Sequence, residues 1–444
     1  MKKILLSLLS ASLILLSCKK DNDRVFKESF DERINGSLAK YQSVLSGAQY
    51  GWKAFITTDN GNGGTYAFYM KFNDSNRVTM VSDFDTAFAV TPKASSYRLR
   101  QQQQPTLIFD TYSYVHILAD PNENVVIFSD VNHGEVGQGL LSDFEFIIKP
   151  DDIASDTLKL TGKVNGARLV MTKATAEESA IFLGGRWVLL ESYLTKKLLT
   201  YYKRTTINGT DYDIYNDPIN KSITFQYMQG TTVLQHTTGY YNTISGIILY
   251  DPLPTSAGPV SAIDVDSWDA STNTLNIKIG SQSSTIKETV FPLEGALDKD
   301  APNRWLSYAD DNENYWISIT GFHVNGEDDA FKIMTLPQYY FLAYFPPSYF
   351  GTQYPVFTPI ILTDAGLDFT YYSFISFTTD ANGIARFRLR GGSNNPPFPT
   401  GTNPARLTRN QMLLATGYYF VQVNETQYDM VSAADGKAWI SWYF

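Results

Sequence analysis

Asp143 and Glu145 are the residues whose type and spacing first suggest catalysis. They alternate with Phe144 and Phe146, and this alternation places both carboxylates on one face of a β-strand. A glycosidase needs such a pair as general acid and base, or as acid and nucleophile, at about 5–5.5 Å in retaining enzymes. The same pattern is typical of a strand with a solvent face opposite a core face. We therefore assign no catalytic residue.

Metal-binding motifs are incomplete. The four histidines, His116, His133, His236 and His323, do not form the His-Glu-x-x-His pair that holds zinc on a helix. Asp310 begins a series like the start of a calcium loop, but tyrosine and glycine replace the glycine and glutamate that such a loop needs. The sequence predicts no cofactor and no metal.

The remaining candidate site is aromatic. Nine aromatic residues lie between Tyr339 and Phe357, interleaved with prolines. Alternation puts rings on both faces of the strand predicted at 339–345, so the strand is either buried on both faces or presents one face as a platform. Tyrosine combines a flat apolar ring with a polar hydroxyl, which suits sugars and peptides. The residues hypothesised to bind a ligand are Tyr344, Tyr349, Phe350 and Tyr354.

The first element that must support these residues is a helix. Ser29 and Glu32 fit a capping box, and apolar residues recur at spacings of three and four from Ile34 to Trp52. Gly51 is the predicted end of this amphipathic helix.

After Trp52 the apolar period changes to two, which predicts strands. Five dipeptides between strand-like runs predict type I′ hairpin turns: Asn165-Gly166, Asn208-Gly209, Asn325-Gly326, Asn382-Gly383 and Asp435-Gly436. Parallel strands need crossover helices, and few are predicted, so the sheets should be antiparallel.

A coarse repeat divides the chain. A helix, glycine, a tryptophan and strands occur around Trp52 and again around Trp187, and Trp305 marks a third unit. We predict a mainly β (α+β) fold of tandem antiparallel β-sandwich or lipocalin-like meander domains with a short N-terminal helix. The expected boundaries are 1–17 for a signal peptide, 18–28 for a lipidated tether, 29–185 for a helix with a β domain, 186–300 for a second β domain, and 301–444 for an aromatic-rich β domain.

Charge narrows the range of partners. The 444 residues carry a formal charge of −9, and without residues 1–17 there remain 34 basic and 45 acidic residues, or −11. This balance argues against nucleic acid as a partner. With 43% hydrophobic and 18% charged residues, the composition is that of a folded protein.

The start of the chain indicates where the protein resides. Lys2 and Lys3 precede an apolar run over 4–16, which has the build of a secretory signal and is too short to span a bilayer. The run ends in Leu-Ser-Cys18, the only cysteine, and resembles the lipobox of bacterial lipoproteins. The resemblance implies cleavage before Cys18 and its acylation, with several chains giving a stable lipid anchor. The Lys-Lys-Asp-Asn-Asp run that follows resembles a surface-export signal of Bacteroidetes lipoproteins.

Four segments carry a further resemblance: Tyr50-Gly51-Trp52 and residues 106–112, 143–148 and 160–163. Together they resemble an uncharacterised family of Bacteroidetes outer-membrane lipoproteins. The resemblance implies an association with starch-utilisation-type loci, in which a TonB-dependent transporter and companion lipoproteins take up nutrients. It supplies no catalytic residues.

These observations favour a lipid-anchored protein of the outer membrane, facing the cell exterior, that captures a glycan or peptide for a transporter without catalysis. Two alternatives stay open at this point. One is a hydrolase whose site is assembled from scattered residues, and the other is a structural or adhesive surface protein.

Overall fold

Three consecutive runs of antiparallel strands each curl until strands at their two ends pair. The computed structural model describes residues 29–58, 64–122, 125, 137–149, 156–394 and 397–444. The predicted fold class, mainly β with tandem antiparallel arrangements and a short N-terminal helix, is confirmed. Cys18 and the predicted signal and tether, 1–17 and 18–28, lie outside the described residues.

The first barrel follows helix α1 (Phe30–Ser46) and is closed by pairing of its first and last strands. Helices α2 (Thr86–Val90) and α3 (Tyr114–Ile117) lie between its strands in the chain. Its strands are β1 (Trp52–Thr57), β2 (Thr65–Phe72), β3 (Arg77–Ser82), β4 (Lys93–Gln101), β5 (Pro105–Phe109), β6 (Glu145–Ile147), β7 (Thr157–Gly162) and β8 (Arg168–Lys173).

The second barrel follows helices α4 (Ala176–Leu183) and α5 (Leu190–Lys196) and closes by pairing of β9 with β16. Its strands are β9 (Tyr202–Ile207), β10 (Thr210–Asp217), β11 (Ser222–Gln229), β12 (Thr232–Asn242), β13 (Gly246–Leu253), β14 (Val260–Asp269), β15 (Thr274–Ile279) and β16 (Gln282–Thr289). Trp187 was expected to open a strand series, but α5 comes first. The Trp187 indole Nε1 donates to the carbonyl of Thr243 in the second barrel at 2.8 Å.

The third sheet follows helix α6 (Ala301–Asp311), and β26 returns to pair with both β17 and β18. Its strands are β17 (Trp316–Ser318), β18 (His323–Val324), β19 (Tyr339–Phe345), β20 (Val356–Thr363), β21 (Gly366–Asp368), β22 (Ser373–Thr379), β23 (Ala385–Gly392), β24 (Tyr418–Asn424), β25 (Gln427–Ser432) and β26 (Ala438–Tyr443). A 3₁₀ turn (Ile333–Thr335) and helices α7 (Pro347–Phe350) and α8 (Pro404–Met412) lie between strands. We call this sheet the third barrel.

Helix α1 begins as predicted and ends earlier than predicted. Both hydrogen bonds of the capping box between Ser29 and Glu32 form, at 2.7 and 3.2 Å. The helix ends at Ser46 with Gly47 as its cap, not at Gly51. The chain turns early so that the Trp52 indole at the start of β1 donates to the Leu45 carbonyl at 2.9 Å inside the core. The buried indole N–H of Trp52 therefore has a hydrogen-bond acceptor.

Only two of the five predicted turns have type I′ geometry. Both residues have positive φ at Asn208-Gly209 (51° and 80°) and at Asn325-Gly326 (52° and 84°). At the other three dipeptides only the glycine has positive φ. Those glycines lie in longer connections, where hairpins commonly use a type I turn followed by one left-handed residue.

Side chains fill the barrel interiors. Eight strands enclose a space that is just wide enough for packed side chains. In the third barrel the ring of Trp305 lies 4.4 Å from that of Tyr344 and 5.8 Å from those of Trp316 and Trp442, and all four residues are fully buried. A ligand therefore has more room between the barrels than inside this one.

A buried charge network joins the first two barrels. Lys221, before β11, places Nζ 2.7 Å from Glu191 Oε1 and 3.1 Å from Asp83 Oδ2. Asn242 donates to these two carboxylates at 2.7 and 2.8 Å. Burial acts to lower the pKa of Lys221, but the adjacent carboxylates outweigh it and raise this pKa. The lysine therefore remains charged in a site without solvent.

No helix in the described part of the chain combines the length and apolar character needed to cross a bilayer.

Candidate functional site

A groove between the second and third barrels is the candidate site. It consists of two adjacent cavities of about 370 and 380 Å³, and Tyr201 and Tyr215 line both. We name them after their polar side chains. The lysine cavity includes Leu194, Lys196, Lys203, His323, Asp328 and Trp439, and the glutamine cavity includes Gln226, Gln235, Phe420, Gln422, Gln427 and Asp429. Ligand sites are commonly clefts of this size between structural units.

The alternation of β9 places Lys203 and Tyr202 on opposite faces of the strand, and each of them lines one of the two cavities. Ile207 belongs to the core of the second barrel, so Lys203, four residues earlier, lies on the same inward face. Tyr202 lies on the opposite face, where its ring is 5.4 Å from that of Tyr215 and stacks at 6.1 Å on Tyr419 of the third barrel. These three tyrosines form a contact between the second and third barrels beside the groove.

Tyr201 and Asp429 connect the two barrels at the wall shared by the cavities. The Tyr201 hydroxyl donates to Asp429 Oδ2 at 2.6 Å. Burial raises the pKa of Asp429, and burial followed by the nearby Asp429 carboxylate raises the pKa of Tyr201. The hydroxyl therefore keeps its proton and acts as the donor.

In the lysine cavity His323 is held between an aromatic ring and a carboxylate. His323 pairs with Trp439 across β18 and β26, and their rings stack with centroids 3.8 Å apart. His323 Nδ1 lies 2.6 Å from Asp328 Oδ1, and this hydrogen bond lowers the pKa of Asp328. The imidazole is thus fixed in orientation at the edge of the cavity.

Lys203 provides a cation at the mouth of the second barrel. Its Nζ lies 6.0 Å from the centroid of the Trp439 ring. Burial lowers the pKa of Lys203 to about 8, against the opposing effect of Glu288. At neutral pH the side chain is therefore mostly charged.

The glutamine cavity combines aromatic rings with amide groups. Gln235 Nε2 donates to Gln226 Oε1 at 2.9 Å, and Arg304 Nε donates to Gln422 Oε1 at 3.1 Å. An amide carries two donors and a carbonyl acceptor with two lone pairs, so Gln226 and Gln235 retain capacity for ligand hydroxyls. The Gln422 oxygen accepts from both Nε and Nη2 of Arg304, so this side chain offers its two N–H donors. Rings beside such groups suit a sugar, which has apolar C–H faces and a rim of hydroxyls.

The structure separates the four residues predicted to bind a ligand. Tyr344 lies in the core of the third barrel with 0% exposure and cannot reach a ligand on the surface. Tyr349 and Phe350, on α7, are 40% and 44% exposed, and Tyr354 lies under the Arg390 guanidinium at 5.6 Å. Strand β19 is buried on both faces from Phe341 to Phe345, so the platform alternative is wrong for that stretch.

The exposed aromatic loop does not enclose a cavity of the groove. Tyr349 and Phe350 pack at 4.8 and 4.9 Å on Phe345, outside the third barrel. The residues lining the groove come from other elements. The loop remains a surface feature of the third barrel.

The carboxylates of Asp143 and Glu145 have separate structural roles. Asp143 is 2% exposed and accepts from the backbone N–H groups of Val164 at 2.7 Å and Ala167 at 3.1 Å. Glu145 pairs with Lys163 at 2.7 Å. The expected solvent face is wrong at Asp143, because its carboxylate stabilises the turn between β7 and β8.

Metal ligands do not assemble in the described residues, where no group of three His, Cys, Asp or Glu side chains could hold an ion. Asp310 lies in α6, and Asn312 forms its C-terminal cap. His133 lies outside the described residues.

Sequence reasoning missed the groove residues. Lys203, His323, Asp429 and Trp439 come from three distant segments, and no short motif connects them. A local signal was the pair Tyr201-Tyr202, in the strand-like run before Asn208-Gly209. Their convergence depends on how two barrels dock.

Comparisons with known proteins identify a family. Residues 22–266 match the family described as "Domain of unknown function (DUF4302)". The match spans the first barrel and the second barrel through most of β14. A search of curated proteins found no match.

Solved structures are only distantly similar. The octameric penicillin-binding protein homologue from Pyrococcus abyssi is 10% identical over 34% of this chain and 37% of its own length, with a TM-score of 0.15. The DNA polymerase III beta subunit from Thermotoga maritima is 9% identical over 92% of this chain and 96% of its own, with a TM-score of 0.16. The Helicobacter pylori beta clamp is 10% identical over 93% and 97%, with a TM-score of 0.13. Such scores support no inference about this chain.

Proposed function

The chain belongs to the DUF4302 family of domains of unknown function, and we propose that it is a cell-surface lipoprotein that captures a glycan without catalysis. The observation that carries this proposal is the groove in which Tyr201 and Tyr215 line two adjacent cavities. With volumes of about 370 and 380 Å³, the two cavities together offer room for a short oligosaccharide. Rings, amides and the carboxylates of Asp298, Asp328 and Asp429 provide stacking and hydrogen bonds for sugar hydroxyls.

The proposed setting follows from the start of the chain. Acylated Cys18 would anchor the protein in outer-membrane lipid, facing the cell exterior, beside a TonB-dependent transporter and companion lipoproteins. Support comes from the basic and apolar run before Leu-Ser-Cys18 and from the Lys-Lys-Asp-Asn-Asp run after it. Capture at the surface would deliver the glycan to the transporter.

The test of capture is binding by the purified acylated protein to glycan and peptide pools in affinity electrophoresis and calorimetry. Trp439→Ala should weaken glycan binding, because Trp439 lines the lysine cavity. Tyr340→Ala is the matched control, since this aromatic residue is 52% exposed and outside the groove. Binding of peptides alone would contradict a glycan ligand, and turnover of the glycan would favour a hydrolase.

The test of setting is protease shaving of intact cells followed by a crosslinked pull-down. Loss of the protein on shaving and recovery of a transporter are the expected results. Surface capture would be contradicted if the protein resisted shaving and the pull-down recovered no transporter.

A further inference from the structure

The lysine cavity has more positive than negative charge among its lining side chains. The lining includes two lysines, Lys196 and Lys203, and one carboxylate, that of Asp328. Asp328 is already hydrogen-bonded to His323 at 2.6 Å. The excess of positive charge contrasts with the acidic character of the whole chain, which has 45 acidic and 36 basic residues.

Lys203 faces a carboxylate that other groups engage. Its cross-strand neighbour on β16 is Glu288. Glu288 accepts from the Leu199 backbone N–H at 2.6 Å and pairs with Lys437 at 3.3 Å. Among the described residues no carboxylate lies within ion-pair distance of Lys203, and its Nζ lies 6.0 Å from the centroid of the Trp439 ring.

We propose that the lysine cavity binds an anionic sugar unit, with Lys203 contacting its carboxylate or sulfate group and Trp439 contacting its ring. The inference rests on the proposed function, because it names the class of glycan that the groove selects. A half-buried ammonium with spare donors is a strong partner for an anion, since a hydrogen bond between charged groups is about twice as strong as a neutral one. The indole adds an apolar surface for the C–H face of the same unit.

The glutamine cavity extends the site to the neighbouring units of the chain. Tyr201 and Tyr215 line both cavities, so an oligosaccharide that places its charged unit beside Lys203 passes these rings. The amides of Gln226 and Gln422 then meet hydroxyl groups of a neutral unit. Charge selection is thereby confined to one end of the groove.

The experiment compares three probes on the full-length acylated protein by calorimetry: a galacturonic acid tetramer, its methyl ester, and a sulfated galactose oligomer. We expect at least one anionic probe to bind about tenfold more tightly than the ester, which corresponds to one charge-assisted contact. The identity of that probe decides between carboxylate and sulfate.

Variants of Lys203 assign the effect to the cavity. Lys203→Met should abolish the preference for the anionic probe, whereas Lys203→Arg should retain it because arginine stays charged. Lys287→Met is the matched control, since Lys287 is exposed on the same strand as Glu288 and, one residue earlier, lies on its opposite face. Far-UV and near-UV circular dichroism establish that each variant is folded.

The outcomes separate the two proposals. Equal affinity for the anionic probes and the ester, or an unchanged preference in Lys203→Met, overturns the anionic unit and leaves glycan capture standing. The same holds if a neutral glycan from the pool binds while all three probes fail. If neither the probes nor any pool glycan binds, glycan capture and the anionic unit are both overturned.

Discussion

The Tyr201 hydroxyl lies 2.6 Å from Asp429 Oδ2, and this hydrogen bond joins the second and third barrels where the two cavities meet. Asp429 is 9% exposed, so its carboxylate has little access to water as a replacement donor. The same contact therefore supports both the docking of the barrels and the shape of the groove.

Tyr201→Phe should lower the free energy of unfolding by about 1–3 kcal/mol, because it removes a donor from a buried carboxylate. Denaturant unfolding measures the loss. Tyr340→Phe removes a hydroxyl from a residue that is 52% exposed, and it should change stability by less than about 0.5 kcal/mol. Equal effects of the two substitutions would show that the Tyr201 contact does not stabilise the barrel interface.

Lys221→Met should lower the free energy of unfolding by about 3–5 kcal/mol. The substitution leaves Asp83 and Glu191 buried without their cation. Lys53→Met is the matched control, because Lys53 is 31% exposed in its pair with Glu178 and such pairs contribute about 0–1 kcal/mol. The role of the network is refuted if both lysine variants unfold at the same denaturant concentration.

Asp143→Ala should destabilise the first barrel by about 1–3 kcal/mol, since it leaves backbone N–H groups of the turn before β8 without an acceptor. Glu145→Ala breaks a partly exposed pair with Lys163 and should have an effect below about 1 kcal/mol. Thermal and denaturant unfolding compare the two alanine variants. A larger loss in Glu145→Ala would contradict the assigned roles.

Binding of an anionic glycan should weaken as pH rises through about 8. Burial lowers the pKa of Lys203 to about 8, so the positive charge present at pH 7 is mostly lost at pH 9. The fall in charged fraction predicts a loss of affinity of about tenfold between these pH values. Other titratable or charged groups around the cavity are Lys196, Tyr201, Tyr215, Glu288, His323, Asp328 and Lys437.

Calorimetry from pH 6 to 9 measures this dependence, and Lys203→Arg provides the control. Arginine remains charged throughout the range, so its profile should be flat above pH 7. A wild-type profile that matches the arginine profile would exclude Lys203 as the titrating group.

Cys18→Ala should release the protein from the membrane fraction while leaving glycan binding by the purified body unchanged, since acylation supplies the anchor. Uptake of the glycan by cells should fall with release. Trp439→Ala is the complementary variant, which should stay membrane-bound and lose binding. Cys18→Ala protein that sediments with membranes would disprove lipid anchoring through this residue.

Local sequence signals predicted the elements well where the stabilising contacts are themselves local. The capping box of Ser29 and Glu32 closes within one turn of helix, and alternating apolar residues bury one face of a strand wherever it lies in the sheet. Asn208-Gly209 forms its turn because both residues tolerate positive φ. These features required only neighbouring residues.

Burial of individual side chains was less predictable. Tyr344 and Tyr349 are five residues apart in one aromatic segment, yet the first is 0% exposed and the second 40%. Aspartate is usually a surface residue, but Asp143 is buried. The backbone N–H groups of a turn distant in sequence donate to its carboxylate. Composition cannot separate such cases, since each depends on which element packs above the side chain.

The sequence by itself determined the mainly antiparallel β class, the capped first helix and several turns, and it carries the residues on which the expected lipid anchor rests. Only the tertiary structure decided that a groove exists and that Lys203, His323, Asp429 and Trp439 meet there. The physical reason is range: helices, strands and turns form from interactions over a few residues, whereas the groove arises from the docking of barrels whose contacts join residues such as Tyr201 and Asp429, 228 positions apart.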